Sequence, residues 1–230
     1  MHRPHIAIAG ILGIALNSAV WSKPPGDLDT VLDRINRAGA AFRTMSANVR
    51  RVSHTAAVND DTVDSGMILL KRARAKDLRM VINFTEPDTK AFAFSGHEVD
   101  IYYPKMQTVD IFDVGKSKAL LEQFLLLGFG TSRRDLQASY NLRLAGEDTI
   151  AGQKTAVLEL VPKSEEVLRH LHKLEMWVAD NGYPLQQKFY LQGGDYELAT
   201  YTNMKINPDL PDSALKLHLP NHVKKEYPQK

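Results

Sequence analysis

Residues 78–112 read LRMVINFTEPDTKAFAFSGHEVDIYYPKMQTVDIF, and the fold turns on that stretch. Leu78, Met80, Ile82 and Phe84 alternate with Arg79 and Asn83, and Glu86-Pro87-Asp88 makes a turn. Phe92 and Phe94 alternate with alanines before Gly96-His97 turns the chain again. Val99, Ile101 and Tyr103 alternate with Asp100 and Tyr102; after Pro104-Lys105, Val109 and Ile111 alternate with Asp110 and Phe112. A period of two belongs to strands that bury one face, and connections this short join antiparallel neighbours. The stretch is a meander.

The same period extends upstream. Met45, Ala47 and Val49 alternate with polar residues, and a strand through Gly66 to Arg72 follows the Asn59-Asp60-Asp61 turn. Before Met45 the period is 3.6. Leu28, Val31, Leu32, Ile35, Ala38, Ala41 and Phe42 put one apolar face on a helix over 28–43, which Asp27 can cap. Downstream, Lys118–Phe129 is apolar nearly all round, too apolar for a one-sided surface helix. A short helix at Arg133–Ser139 and a helical turn capped by Ser164 over Glu165–His170 are expected. Strands are expected at 140–145, 155–161, 173–179, 185–192 and 196–206. Asp180-Asn181-Gly182 and Gly193-Gly194-Asp195 form the turns between the last three. Leu215–Val223 reads as a final edge segment.

The fold class is therefore α+β. A single antiparallel sheet of about ten or eleven strands, with helices on one face, must curl into a half-open β-barrel with the helices over its concave face. The pattern leaves open which face of each strand is concave.

Residues 1–22 look like a cleavable secretory signal. A short basic start (Arg3) precedes an apolar or small run from Ile6 to Leu16, and Val20-Trp21-Ser22 carries small residues at the cleavage positions. The run is shorter than the roughly 20 residues a membrane span needs. The expectation is a soluble periplasmic protein with residues 23–230 as one domain. The chain has no cysteine, which excludes disulfides, thiolate metal sites and cysteine nucleophiles. With 29 Lys and Arg against 27 Asp and Glu, the net charge of +2 gives no footprint for nucleic acid. The basic stretch Lys71–Lys76 reads as a solvated turn.

No Gly-x-Ser-x-Gly, phosphate-cradling glycine loop or His-Glu-x-x-His is present. His170 with His172, and His218 with His222, have no acidic residue at ligand spacing, so they are expected to be exposed or structural. Asp60-Asp61 is expected in a solvated turn. The expectation is no catalytic site, no metal, no cofactor and no enzyme. What stands out is apolar excess. Met80, Ile82, Phe84, Phe92, Phe94, Ile101, Tyr103 and Ile111 from the strands, with Leu120, Leu121, Phe124 and Leu125 from the mid-chain helix, form either an ordinary core or the lining of a cavity for a lipid chain.

Several ordered features resemble the periplasmic outer-membrane lipoprotein carriers, the LolA-like family. They are Leu32-Asp33-Arg34-Ile35 leading to Phe42 and Met45-Ser46-Ala47; Gly66-Met67-Ile68-Leu69-Leu70-Lys71-Arg72; Phe84-Thr85-Glu86-Pro87-Asp88; Gly96 to Pro104; and Trp177-Val178-Ala179-Asp180-Asn181-Gly182-Tyr183-Pro184. No proline follows Lys71-Arg72 here, and the next strand carries one aromatic residue, Phe84. The resemblance implies a half-barrel closed by helices around an apolar cavity. It implies a monomeric chaperone that takes acylated lipoproteins, or other lipids, from an inner-membrane ABC transporter to an outer-membrane acceptor. It also implies that Arg72 latches the lid helices; read from the residues alone, Arg72 is a surface strand end. The missing cysteine argues against this chain being a lipoprotein acceptor itself. A carrier of a glycolipid or phospholipid, and an envelope-stress sensor on the same fold, are the alternatives.

Overall fold

A computed structural model describes residues 27–74, 77–125 and 127–229, so the signal expected at 1–22 lies outside the described residues. Helix α1 (Leu28–Ala41) opens the described chain, followed by β1 (Thr44–Thr55), β2 (Asp60–Arg74), β3 (Asp77–Glu86), β4 (Lys90–Ser95), β5 (Glu98–Tyr103) and β6 (Thr108–Asp113). Helices α2 (Lys118–Leu125) and α3 (Arg133–Ser139) lead to β7 (Tyr140–Ile150) and β8 (Gln153–Pro162). Then come α4 (Glu165–Leu168), β9 (Leu171–Ala179), β10 (Pro184–Leu191), β11 (Tyr196–Ile206) and β12 (Lys224–Glu226).

The strands form one open twelve-stranded sheet in the order β12-β6-β5-β4-β3-β2-β1-β11-β10-β9-β8-β7. Two meanders, β1–β6 and β7–β11, are joined by the antiparallel pair β1 and β11, in which Val49 faces Tyr201. The short β12 runs parallel to β6. The expected edge segment at Leu215–Val223 is displaced. No strand forms over that stretch, and the edge pairing begins at Lys224, whose N–H donates to the Gln107 carbonyl at 2.8 Å. Over its described residues, Lys71–Arg74, the basic stretch is strand rather than turn. β2 runs on to Arg74, and Lys71 is neutralised by Asp212 at 2.7 Å. Asp60 and Asp61 begin β2 rather than forming a solvated turn, and Asp61 sits 2.7 Å from the ring of His54.

Paired residues share a face, so the register sorts the sheet. Leu70 faces Met80, Ile68 faces Ile82, and Met80 and Ile82 face Phe94 and Phe92. This is the helix-covered face. On the β7–β10 half, α1 buries Val31, Leu32 and Ile35 against Leu158, Leu160, Leu174 and Met176. The Asp27 carboxylate accepts from the Thr30 N–H at 2.7 Å and caps the helix. The outer face of β2 and β3 is crossed by the chain after β11. Asn207 accepts from the Arg43 N–H at 2.8 Å and donates to the Ala41 carbonyl at 3.0 Å. Lys71 Nζ donates to the Leu210 carbonyl at 2.9 Å, Arg79 meets Asp212 at 2.9 Å, and Leu215 is buried.

Lys118–Phe129 differs from the sequence expectation of one helix. The helix stops at Leu125 because Gly128 takes φ +79°, a left-handed conformation that ends a helix. Leu127 and Phe129 then dive into the core, which accounts for much of the apolar excess. Phe129 packs at 6.0 Å from the Phe42 ring and 5.5 Å from the Tyr201 ring.

Gly66 has a steric role in the β2–β3 pairing. A Cβ there would lie 2.0 Å from the Asn83 carbonyl oxygen and 2.7 Å from Phe84 Cα. Gly66→Ala is expected to cost about 2 kcal/mol by overpacking, read as a fall of about 6 °C in the thermal midpoint. An unchanged midpoint contradicts this close approach.

Candidate functional site

An apolar cavity of about 260 Å³ opens between the β3–β5 part of the concave face and α2. Its lining is Arg51, Met80, Ile82, Phe84, Phe92, Ala93, Phe94, Val99, Leu121 and Leu125. Of the residues expected from the sequence, Met80, Ile82, Phe84, Phe92, Phe94, Leu121 and Leu125 come together here. Ile101 and Tyr103 share the face, opposite Phe92 and Thr108 respectively, but are not among the residues that line the cavity. Ile111 does not share it. The β5–β6 connection pairs Ile111 with Asp100 on the outer face, so the shared alternation of the two strands hides a switch of side. Phe124 points to the other half of the sheet, edge-on to Phe189 at 6.4 Å. The side chain of Leu120 lies outside those described.

The two helices are held unequally. α1 is clasped along its length. Arg133 of α3 pairs with Asp29 and, at 2.8 Å, with Asp33. Arg34 pairs with Asp180 at 2.6 Å, and the Tyr183 hydroxyl donates to the Ala38 carbonyl at 2.9 Å. On α2, the described residues Lys118, Leu121, Glu122, Phe124 and Leu125 are all only half-buried. The turn after it is anchored by polar groups. Gln187 Nε2 donates to the Leu127 carbonyl at 3.0 Å, and Tyr201 donates to Gln187 Oε1 at 2.9 Å. Burial pushes the Tyr201 phenol well above its ordinary pKa, so it remains a donor.

Arg72 ties these parts to the sheet. Its Nη1 donates to the Gly130 carbonyl at 2.9 Å, and its Nη2 to the carbonyls of Gly39 at 2.8 Å and Phe42 at 2.9 Å. Gly39 and Phe42 lie at the C-terminal end of α1, where carbonyls lack helical partners. The guanidinium also lies 5.9 Å from the centre of the Phe42 ring. One rigid fork thus joins β2, α1 and the loop between α2 and α3, which lysine's single ammonium cannot reproduce.

Arg51 at the cavity was missed. The sequence did hold a signal: Arg51 continues the Met45, Ala47, Val49 alternation, an arginine in an apolar phase. Its guanidinium lies over Phe84 at 5.1 Å and Phe92 at 5.8 Å. Its Nη2 meets Asp64 at 2.6 Å, and Lys90 meets the same carboxylate at 2.7 Å. Asp64 is 1% exposed. Burial pushes its carboxyl pKa up, but hydrogen bonds from Lys90 and Arg51 outweigh burial and hold it below the usual carboxylate range.

The histidines do not assemble. His170 follows α4 while His172 is exposed on β9, and His218 and His222 are exposed. Among the described residues no group of three or more His, Asp or Glu could hold a metal ion, and no helix is long and apolar enough to cross a membrane.

No protein-family model and no curated protein matches the sequence. Solved structures do. An uncharacterised conserved protein from Thermus thermophilus is 14% identical, with 86% of this chain and 98% of that one covered and a TM-score of 0.52. MucB is 17% identical, with 83% of this chain covered and a TM-score of 0.51. This chain spans only 62% of MucB's length. MucB has also been solved in complex with MucA. A looser likeness is a LolA superfamily protein from Nitrosomonas europaea, 16% identical over 82% of this chain and 97% of that one, with a TM-score of 0.40. At these identities the likeness to the Thermus thermophilus protein and to MucB is one of fold alone.

The Asp64 cluster makes stability depend on acid. A depressed carboxyl contributes fully above its unfolded pKa, about 3.9, and the contribution is lost as pH falls through the lower folded value. Asp64→Asn is expected to be about 2 kcal/mol less stable than wild type at pH 7, with the gap shrinking below pH 4. Urea unfolding at pH 7 and pH 3 reads both numbers, and a gap that does not narrow contradicts the ion cluster.

Proposed function

We propose that the protein is a non-enzymatic periplasmic carrier that shields the acyl chain of a lipoprotein or another lipid. The cavity carries this reading: an apolar space roofed by a half-buried helix, with the closing elements tied to the sheet by one arginine. An acyl chain of about 15 methylenes costs about 12 kcal/mol to leave in water, so passage between membranes needs such a shelter. The space of about 260 Å³ is below the roughly 300–1,000 Å³ typical of ligand sites. That volume suits a closed state which α2 enlarges by lifting. The moving part in this reading is α2 with its following loop, while α1 stays clasped by Arg133, Arg34 and Tyr183. The donor and acceptor are an inner-membrane transporter and an outer-membrane receptor, as the sequence resemblance implies. A second reading, a sensor that binds a protein partner, is favoured by the likeness to MucB.

The test is native mass spectrometry of the mature protein from the cell envelope with lipid extraction, beside titration with an apolar fluorescent probe. A co-purifying acylated peptide supports a lipoprotein carrier, and a free phospholipid or glycolipid a general lipid carrier. A lipid-free protein that ignores the probe sinks both and favours the sensor. Arg72→Leu removes three hydrogen bonds, of which the one to Gly130 in the moving loop, worth about 1.5 kcal/mol from a charged donor, holds the closed state. Apparent probe affinity is expected to rise about tenfold, because less of the binding energy goes into opening. Unchanged or weaker affinity contradicts the latch.

A further inference from the structure

Among the described residues that line the cavity, Arg51 alone is charged. Its position is built. Asp64 is buried on β2 directly opposite Arg51 in the β1–β2 register and holds Nη2 at 2.6 Å, while Phe84 and Phe92 support the guanidinium plane. A guanidinium has five N–H donors. Among the described residues only Nη2 makes a hydrogen bond. Nε is buried with no partner; the Glu197 carboxylate stands 3.9 Å away, beyond hydrogen-bond reach, and is held at 2.8 Å by the Ser53 hydroxyl. The side chain is 31% exposed, so its remaining N–H groups stand open at the cavity and can exchange water for a ligand acceptor.

The local charge selects which acceptor. Arg51 and Lys90 are matched by Asp64 and Glu197, so the cluster is already even. A further full negative charge would face two carboxylates. An uncharged carbonyl oxygen takes the free N–H groups without that repulsion. We infer that Arg51 anchors the carbonyl of an ester- or amide-linked acyl chain whose methylene end lies among Met80, Ile82, Phe92, Leu121 and Leu125. Asp64 is the positioning residue, which fixes the guanidinium at the cavity. This rests on the reading of the cavity as a chain-binding site and adds the polar end of the ligand.

The experiment displaces an apolar fluorescent probe from the full chain with four ligands of equal chain length: hexadecane, methyl palmitate, N-methyl palmitamide and palmitate. Wild type is expected to bind the ester or the amide about tenfold tighter than hexadecane, the strength of one hydrogen bond from a charged donor. Palmitate is expected to bind no tighter than the ester. A preference for the ester points to acylglycerols, and one for the amide to N-acylated peptides; either supports the anchor. Arg51→Met is expected to abolish the preference while hexadecane still binds. The double variant Arg51→Met with Asp64→Asn, which leaves no buried carboxylate stripped of its arginine, is expected to do the same. Equal binding of ester, amide and hexadecane by wild type overturns the anchor, as does a preference that survives in both variants, and so does palmitate binding best. If wild type displaces nothing and binds no probe, the carrier reading fails and takes the anchor with it. If hexadecane competes but nothing discriminates, the carrier reading stands and the anchor alone is lost.

Discussion

The pairing of β1 with β11 joins the two halves of the molecule. Each meander pairs strands that are neighbours in sequence, whereas this seam pairs strands far apart in it. Along the β1–β11 seam Val49 faces Tyr201 and Arg51 faces Ala199. The Tyr201 hydroxyl, through Gln187, fixes the turn after α2, and Arg51 reaches the cavity from the same strand pair. Arg72, one strand away, bonds to both the end of α1 and the loop beyond α2. The curl of the sheet and the attachment of its covering helices thus converge on a few residues around this line.

Where one physical rule decides the structure, the sequence is easy to read. α1 is legible because its apolar residues recur at 3.6 and Asp27 caps it. The hairpins at Asp180-Asn181-Gly182 and Gly193-Gly194 are legible because Gly182, Gly193 and Gly194 take positive φ. The β-meander is legible because its period is two. Three features were not legible, for different reasons. The end of α2 was obscured because Leu127 and Phe129 are apolar for a reason other than the helix. The side of Ile111 depends on the length of the β5–β6 connection, which shifts the phase of one strand against the next while leaving each pattern intact. The partners of Arg51 are set by cross-strand register, which no local window contains.

The cavity shows the same limit. Seven of its ten lining residues were among those singled out from periodicity, since the apolar phase of β3 and β4 is unambiguous. The polar end was not found, because it comes from β1 and β2. Apolar burial is written along a strand, whereas charge pairing is written across strands, and the ion cluster of Arg51, Asp64 and Lys90 draws on three of them.

The seam also bears on how the chain becomes a protein. Met45 of β1 pairs with Ile206 of β11, so the central pairing of the sheet waits for residues made long after its first half. The loop-closure entropy of such distant contacts slows their formation. Until β11 arrives, β1 is a bare edge carrying Val49 and Val52, and β6 is another, since β12 comes later still. Exposed edges of this kind template pairing with other chains. A truncation anywhere before β11 therefore leaves a half-sheet with two adhesive rims, and synthesis of the chain carries the same hazard until its last quarter is complete.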